Sequence, residues 1–522
     1  MTKVRGPGDF TTASLSCRGA GLFDRLFYGS IFYGWILKGD APEKLRGSPP
    51  DPWPGDPEDA AMILNGEIPF EGGGIVLDDG LWTGGRVSGA ALDFLHGFAW
   101  LADLRSVESA EAKNRARDLA IGWMDHCGRW RPDAWRADVL GQRLSAWLAA
   151  AGYLNDGADG EFRRRFLVSL AEQARHLERV CPGHESPVAA FSAIKGLIHC
   201  GLCLPGFETA LERGLGLADR EIARQVMADG SHCGRAPSTA LAVLRHLADI
   251  RGALTLARVE CPATIQNAIK RMAPMIRALR LGNGSLAAFG DENEEDPRLI
   301  DVVLAQAAVR TRPPMVLPDG GYHRLAAGRT IVIVDTGSSV ASPDWNGESC
   351  LAGFEMSAGK DRLVVRRGGG GKRPAGKNKT ARKEADGNIW LDCDYRGGRG
   401  FNHRRRLYLN AAGEDLRGED SLQGGDREDT AFTIRFHLHP GVQASLVEDA
   451  SAVLLKLSHG PGWRFHAKGG KIGLSESRFK TAAGWRRSEQ ITVSGPATGN
   501  DPVKWAFRRS HKPPPGSGPD GG

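Results

Sequence analysis

Several stretches carry side chains whose types and spacing could do chemistry. Asp229-Gly-Ser-His-Cys-Gly-Arg-Ala-Pro-Ser238 is a turn-rich break between two helical patterns. Imidazole titrates near neutral pH and guanidinium pairs bidentately with carboxylate, so His232 and Arg235 could bind an acidic group and move a proton. The competing reading is a plain helix-to-helix loop with Ser238 as N-cap. Trp130-Arg-Pro-Asp-Ala-Trp-Arg136, followed by Asp138, Arg143 and Trp147, interleaves aromatic faces suited to sugar rings with guanidinium groups suited to acids. A helix core is the equal alternative there, because Arg143 and Trp147 share one helix face. Arg435-Phe-His-Leu-His-Pro440 places His437 and His439 on one strand face, two metal ligands without a visible third. His199-Cys-Gly-Leu-Cys203 holds a C-x-x-C inside an Ala/Leu/Ile helical pattern, where the cysteines read as small buried hydrophobes. His403-Arg-Arg-Arg-Leu-Tyr408 reads as a basic strand with a solvated or sheet-packing face, and the glycines of 368–371 lack phosphate-loop spacing.

The elements that must hold these groups change character along the chain. From Leu92 to about Leu304, apolar residues return every three or four positions, and Pro-Gly breaks at 182–183 and 205–206 separate helices that should pack as antiparallel hairpins. After Pro313, short β-branched runs such as Thr330–Asp335, Arg362–Arg366, Asn388–Asp392, Phe432–Leu438 and Ala452–Lys456 follow one another without helices between them. A helical domain followed by an antiparallel β domain is expected, with domains at 1–90 (an N-terminal extension and Pro/Gly-rich ordered loop), 91–312 (helical) and 313–509 (β). The Pro/Gly-rich stretch 49–87 is expected to lack regular structure, 368–383 to be a flexible basic linker, and 510–522 a disordered tail.

Composition narrows the classes. No apolar run reaches the roughly 18–20 residues of a membrane span. Gly 69 and Pro 29 make about a fifth of 522 residues, too many for a coiled coil. A net charge of +6 is mild for this length, and the basic run 360–383 lacks interleaved aromatics, so an acidic small molecule or polysaccharide suits the chain better than nucleic acid. The nine cysteines and the want of a secretory signal point to a reducing, cytoplasmic setting.

Taken in order, several segments resemble the heparinase II/III-like family, in its alphaproteobacterial branch. They include Asp51-Pro-Trp-Pro-Gly-Asp56, Leu95-His-Gly-Phe-Ala-Trp-Leu-Ala-Asp-Leu-Arg105, Asp229-Gly with His232, Arg324-Leu-Ala-Ala-Gly-Arg329, Phe354-Glu-Met-Ser357, Arg435-Phe-His-Leu-His-Pro440 and Val503-Lys-Trp-Ala-Phe-Arg508. The resemblance spans about residues 20–509. It implies an incomplete (α/α) toroid of helical hairpins followed by an antiparallel β-sandwich. It also implies a polysaccharide lyase that opens a uronic-acid glycosidic bond by β-elimination, with no cofactor or metal and, for such lyases, a periplasmic or cell-envelope alternative for location. A positive or amide group would neutralise the substrate carboxylate, a Tyr or His would take the C5 proton, and an acid would protonate the leaving oxygen. On this reading His232 is the base or carboxylate-orienting group, and Tyr322 an acid/base candidate. Arg235, Arg143 and Arg136 would hold the carboxylate, and Trp135 would stack on a sugar. The chain departs from the pattern at Ala236, where an Asn is expected, at Glu348 in place of a β-domain His, and at Arg366 or Arg367, so a catalytically degraded glycan-binding protein is the alternative.

Overall fold

The computed structural model describes residues 24–510, apart from 71–72, 79, 83–86, 184–185, 290–293, 338–351, 367–375, 398–401, 424–430, 448, 482–483 and 497–501. Glu348, Arg367, linker residues 368–375 and the tail from His511 lie outside the described residues. The fold is an incomplete (α/α) toroid of helical hairpins followed by an antiparallel β-sandwich. The chain divides into two compact units. One comprises 1–226, 241–273 and 301–309, the other 227–240, 274–300 and 310–522.

In the first unit the helices Ala110–Cys127, Ala137–Ala149, Gly160–Val180, Pro187–Cys203 and Glu208–Gln225 follow the apolar periodicity of the sequence. Ser109, Asp159 and Ser186 cap the helices that follow them by accepting backbone N–H bonds. The helices Ala137–Ala149 and Pro187–Cys203 cross at a glycine pair. A Cβ on Gly196 would lie 2.4 Å from the Gly141 Cα, and one on Gly141 would lie 2.5 Å from the Ser192 carbonyl oxygen. This close approach fixes the helix that carries Arg143. Beneath it, Phe98, Trp123 and Trp147 pack edge to face with centroids 5.2–6.4 Å apart.

The second unit contains two eight-stranded antiparallel sheets among the described residues. One runs, in spatial order, Gln443–Val447, Ala452–Lys456, Trp463–Lys468, Val503–Arg509, Asp415–Gln423, Asn402–Leu409, Asn388–Gly397 and Gly376–Ala385. The other runs Lys471–Thr481, Gly484–Pro496, Ala431–Leu438, Asp361–Val365, Gly353–Ala358, Thr330–Asp335, Tyr322–Ala327 and Val316–Leu317. A buried layer that includes Val332, Met356, Leu391, Leu407, Phe436, Trp463, Trp505 and Phe507 draws on strands of both sheets.

Two sequence expectations are corrected. The stretch 49–87 carries regular structure: Asp56 caps the helix Pro57–Leu64, with Pro57 pre-set at its first turn, and Glu67–Phe70 pairs with Gly73–Val76 as a hairpin. The expected linker 368–383 is a strand from Gly376 onward, paired along its length with Asn388–Gly397 through a turn at Asp386-Gly387 in which both residues have positive φ. It is an edge strand, where lysines deter pairing with other chains, so its basic composition belongs to a strand rather than a linker.

Candidate functional site

His232, Arg235 and Tyr322 come together in the second unit. Asp229 begins the loop after the helix Glu208–Gln225, and Gly230, with φ +86°, lets the backbone reverse. The Asp229 carboxylate accepts N–H bonds from Ser231 at 2.9 Å, Asp319 at 2.8 Å and Gly320 at 3.0 Å, while the Asp319 carboxylate accepts the Asp229 N–H at 3.0 Å. This reciprocal clamp seats the loop on the turn that precedes Tyr322. His232 is buried, and its Nδ1 accepts the Gly234 N–H at 3.0 Å, so the proton of the neutral ring sits on Nε2.

Arg235 has φ +53°, a conformation that costs a side-chain-bearing residue about 1 kcal/mol or more. Its guanidinium donates to the Gly320 carbonyl at 2.8 Å, forms an ion pair with the buried Asp335 and stands 5.5 Å over the Tyr322 ring. The Tyr322 hydroxyl donates to the Arg235 carbonyl, and its ring stacks on Phe289 at 5.3 Å. Arg235 and Tyr322, both expected to meet substrate, therefore engage each other, and the His232 ring bonds within its own loop.

Arg143, Arg136 and Trp135 lie in the first unit. Arg143 is wholly buried and donates to Gln173 at 2.7 Å and to the carbonyls of His96 and Ala134 at 2.8 and 2.9 Å, with its guanidinium 4.0 Å from the Trp123 ring centroid. Burial pulls its pKa down to about 9. Arg136 is gripped by Asp138 at 2.7 and 2.9 Å and by Asp93 at 2.6 Å; burial disfavours its charge, but the two carboxylates outweigh that and keep it charged. Trp135 is buried, donating its indole N–H to the Cys127 carbonyl at 2.8 Å, which leaves no open face for a sugar.

The other sequence candidates have structural partners as well. His437 Nδ1 meets the Ser477 hydroxyl at 2.8 Å, and His439 Nδ1 accepts the Gly441 N–H at 3.1 Å. Among the described residues no group of three His, Cys, Asp or Glu side chains is placed to hold a metal ion. Cys200 and Cys203 are free and buried, with burial pushing Cys203 up to about 12.

A polar pocket in the second unit was missed by the sequence reading. Its walls include Thr336, Asn378, Lys379, Tyr395, His403 and Arg405. The register places Asn378, Tyr395 and His403 side by side across three neighbouring strands, which lines up an amide, a phenol and an imidazole in one row. Behind them the buried Asp420 accepts from His403 at 2.7 Å, from Arg405 at 2.7 and 3.1 Å and from the Trp505 indole at 2.7 Å. Burial alone would raise the Asp420 pKa, but Arg405 and His403 outweigh it and hold the carboxyl well below the usual range. Asn378 donates to the Thr336 carbonyl at 2.6 Å, and its buried Oδ1 has no hydrogen-bond partner among the described residues. A signal was present in the alternation of 402–409: Leu407 and Leu409 are core, and residues 403 and 405 share their face.

Two family models match the chain. The one described as heparinase II/III N-terminus matches residues 120–309, and the one described as heparinase II/III-like, C-terminal matches 309–382 and 365–506. FtsZ-localized protein C of Caulobacter vibrioides (strain NA1000 / CB15N) is 29% identical over 504 residues, covering 86% of this chain and 87% of that protein. The crystal structure of heparinase III superposes with a TM-score of 0.72 at 14% identity, over 98% of this chain and 94% of that one. Heparan sulfate lyase HepC from Pedobacter heparinus superposes with a TM-score of 0.58 at 14% identity, over 95% and 91%.

Proposed function

This chain belongs to the heparinase II/III-like family, a polysaccharide lyase family, and from that premise we propose that it binds an acidic, uronate-bearing polysaccharide without cleaving it efficiently. The observation that carries this reading is the engagement of the toroid-loop groups. β-Elimination needs a cation or amide free to neutralise the substrate carboxylate. Arg235 is instead spent on Asp335 and Gly320, Tyr322 on the Arg235 carbonyl, and residue 236 is Ala. Binding falls to the β-domain pocket. Lys379 is exposed for a sugar carboxylate, Asn378 Oδ1 is an acceptor without a partner among the described residues, and His403, which donates through Nε2 to Asp420, keeps Nδ1 as an acceptor for a hydroxyl.

One arrangement favours a second reading, a lyase whose chemistry sits in the Asn378–Tyr395–His403 row. There the amide would face the substrate carboxylate, the imidazole would take the C5 proton, and the phenol would protonate the leaving oxygen. The name of the Caulobacter relative supports, for this chain, an association with FtsZ and the cytoplasmic alternative for location. Among the described residues no helix is long and apolar enough to cross a membrane.

The deciding experiment incubates the protein with heparin, heparan sulfate, hyaluronate, chondroitin and alginate, following absorbance near 232 nm and binding in parallel. Binding that falls at least about tenfold in His403→Ala, with no absorbance rise, is the expected result. A rise abolished by His403→Ala but kept in His232→Ala establishes the second reading. A rise abolished by His232→Ala returns the chemistry to the toroid loop and overturns both.

A further inference from the structure

The sheet that holds the pocket carries, on its other face, a row of side chains that neither the pocket nor the core uses. The strand that turns His403 and Arg405 inward turns its alternate residues to solvent. On that side the register sets Lys383 beside Trp390, Trp390 beside Tyr408 and Tyr408 beside Arg417, one residue from each of four neighbouring strands. With strands about 4.8 Å apart, the row runs about 14 Å from cation to cation. The two rings lie together at its centre, with centroids 5.3 Å apart and planes inclined by 47°. The Tyr408 hydroxyl donates to Asn388 Oδ1 at 2.9 Å, which holds the phenol in place. The Lys383 ammonium stands 6.0 Å from the Trp390 ring centroid, and the Arg417 guanidinium 5.5 Å from that of Tyr408. Trp390 is 38% exposed, and both cations are exposed.

A cross-strand aromatic pair stabilises a sheet by itself, but that role does not account for the charge around it. The next outward row, Asp392, Arg406, Glu419 and Lys504, alternates in sign and is largely neutralised within the face: Arg406 meets Glu419 at 3.2 Å, and Asp392 pairs with Arg404. The row of Lys383, Trp390, Tyr408 and Arg417 holds two cations and no carboxylate. Among the described residues the Lys383 ammonium meets a ring and no carboxylate. Arg417 is bonded to Asp415 at 2.8 and 2.6 Å, but that carboxylate also has Arg508 at 3.5 Å, so Arg417 can turn to a ligand and leave Asp415 paired. Exposed ion pairs are weak, and the exchange costs little.

We propose that this row is a second glycan-binding site, a platform for a polysaccharide whose uronates are separated by neutral sugars. The inference rests on the acidic-polysaccharide reading and adds to it a site and a spacing of charge. The apolar faces of pyranose rings pack on Trp390 and Tyr408, while one carboxylate meets Lys383 and another Arg417. The spacing disfavours nucleic acid, because phosphates that follow one another every ~3.4 Å along a duplex strand would be set against Asp392 and Glu419 in the row alongside. The row of Asn378, Tyr395 and His403 belongs to the opposite face of the same sheet, so one short oligosaccharide cannot fill both sites.

The test is calorimetric titration of the full chain with a short hyaluronate oligosaccharide, beside Trp390→Ala, the paired variant Lys383→Gln with Arg417→Gln, and His403→Ala. The wild type should bind two molecules per chain. Trp390→Ala and the paired variant should each weaken one of the two by at least about tenfold, and His403→Ala should weaken the other. Trp390→Phe, which keeps a ring, should restore most of the affinity. The paired variant changes only exposed positions, so its circular dichroism should match the wild type and its loss of binding is not a loss of fold. Binding at the platform should also weaken in high salt. Wild-type binding in both Trp390→Ala and the paired variant overturns the platform, whatever His403→Ala does. One molecule per chain, lost in Trp390→Ala and kept in His403→Ala, supports the platform and overturns the pocket; no binding by the wild type overturns both. A single-stranded oligonucleotide that binds the wild type and not the paired variant, with hyaluronate binding unchanged in that variant, assigns the row to nucleic acid and overturns the proposal.

Discussion

Replacing Arg235 with Ala separates a fold latch from a substrate clamp. The guanidinium forms an ion pair with Asp335, a 2.8 Å bond to the Gly320 carbonyl and a cation–ring contact over Tyr322. Truncation takes the guanidinium from Asp335, whose side chain is almost fully buried, while the Gly337 N–H still donates to it at 3.2 Å. Breaking a buried pair by removing one partner costs roughly 3–5 kcal/mol. Arg235 is not fully enclosed, so some water can reach the vacated position, and the lower end, about 3 kcal/mol, is expected. Amide hydrogen exchange of the full chain is the suitable assay, because a chain of two units does not unfold in one step. Exchange in 227–240 and 319–322 should rise by about two orders of magnitude, since each 1.4 kcal/mol is a factor of ten. Arg235→Gly should recover about 1 kcal/mol of that loss, because glycine accepts the positive φ without strain. Binding of heparin should change less than about twofold in either variant. Exchange that stays at the wild-type rate while polysaccharide binding collapses would refute the latch and make Arg235 a substrate-binding group.

Three further outcomes follow from the same geometry. Burial works to raise the Glu294 pKa, but the neighbouring His439 and Arg362 outweigh it and bring the carboxyl down from 4.5 to about 2. Its contribution, on the order of 3 kcal/mol, is therefore fully present above pH 4.5 and lost as pH falls toward 2; Glu294→Gln should flatten the acid limb of the stability curve over that window. Gly141→Ala should destabilise the first unit by about 3 kcal/mol, read as a lower denaturation midpoint, because the new Cβ meets helix backbone that cannot swing aside. Asp420→Asn should cost about 3 kcal/mol by stranding the buried Arg405 and should weaken polysaccharide binding along with His403, whereas His232→Ala should leave that binding unchanged.

The order of elements was legible wherever local periodicity was strong. Ala110–Cys127 and Ala452–Lys456 can be read to the residue because the first returns apolar residues every three or four positions and the second is a short apolar run that stops at Lys456. The strands Gly376–Ala385 and Asp415–Gln423 were not legible, and the reason is physical. The first is a lysine-rich edge strand and the second carries Asp420 where an apolar core residue would stand, so neither offers the alternation that identifies a strand. The Asp386-Gly387 turn was the available clue to the first.

The site was less legible because the distinction between a guanidinium that binds substrate and one that holds the fold is not local. Arg235 on a glycine-rich loop looks available until Asp335, a hundred residues away, closes on it; Arg143 looks like a sugar ligand until three acceptors from distant segments surround it. The same long-range pairing hid the pocket. His403 and Arg405 look like a solvated basic strand by their own neighbours, and only the carboxylate of Asp420 on the adjacent strand turns them inward. In both cases the deciding group is an acid that sequence periodicity assigns to no core. A scaffold of this family can thus hold arginines for its fold, provided each finds a buried carboxylate or carbonyl. The arginine count then reports on stability, and the proposed binding rests instead on polar atoms that the fold does not use, such as the exposed Lys379 ammonium and Asn378 Oδ1, which has no partner among the described residues.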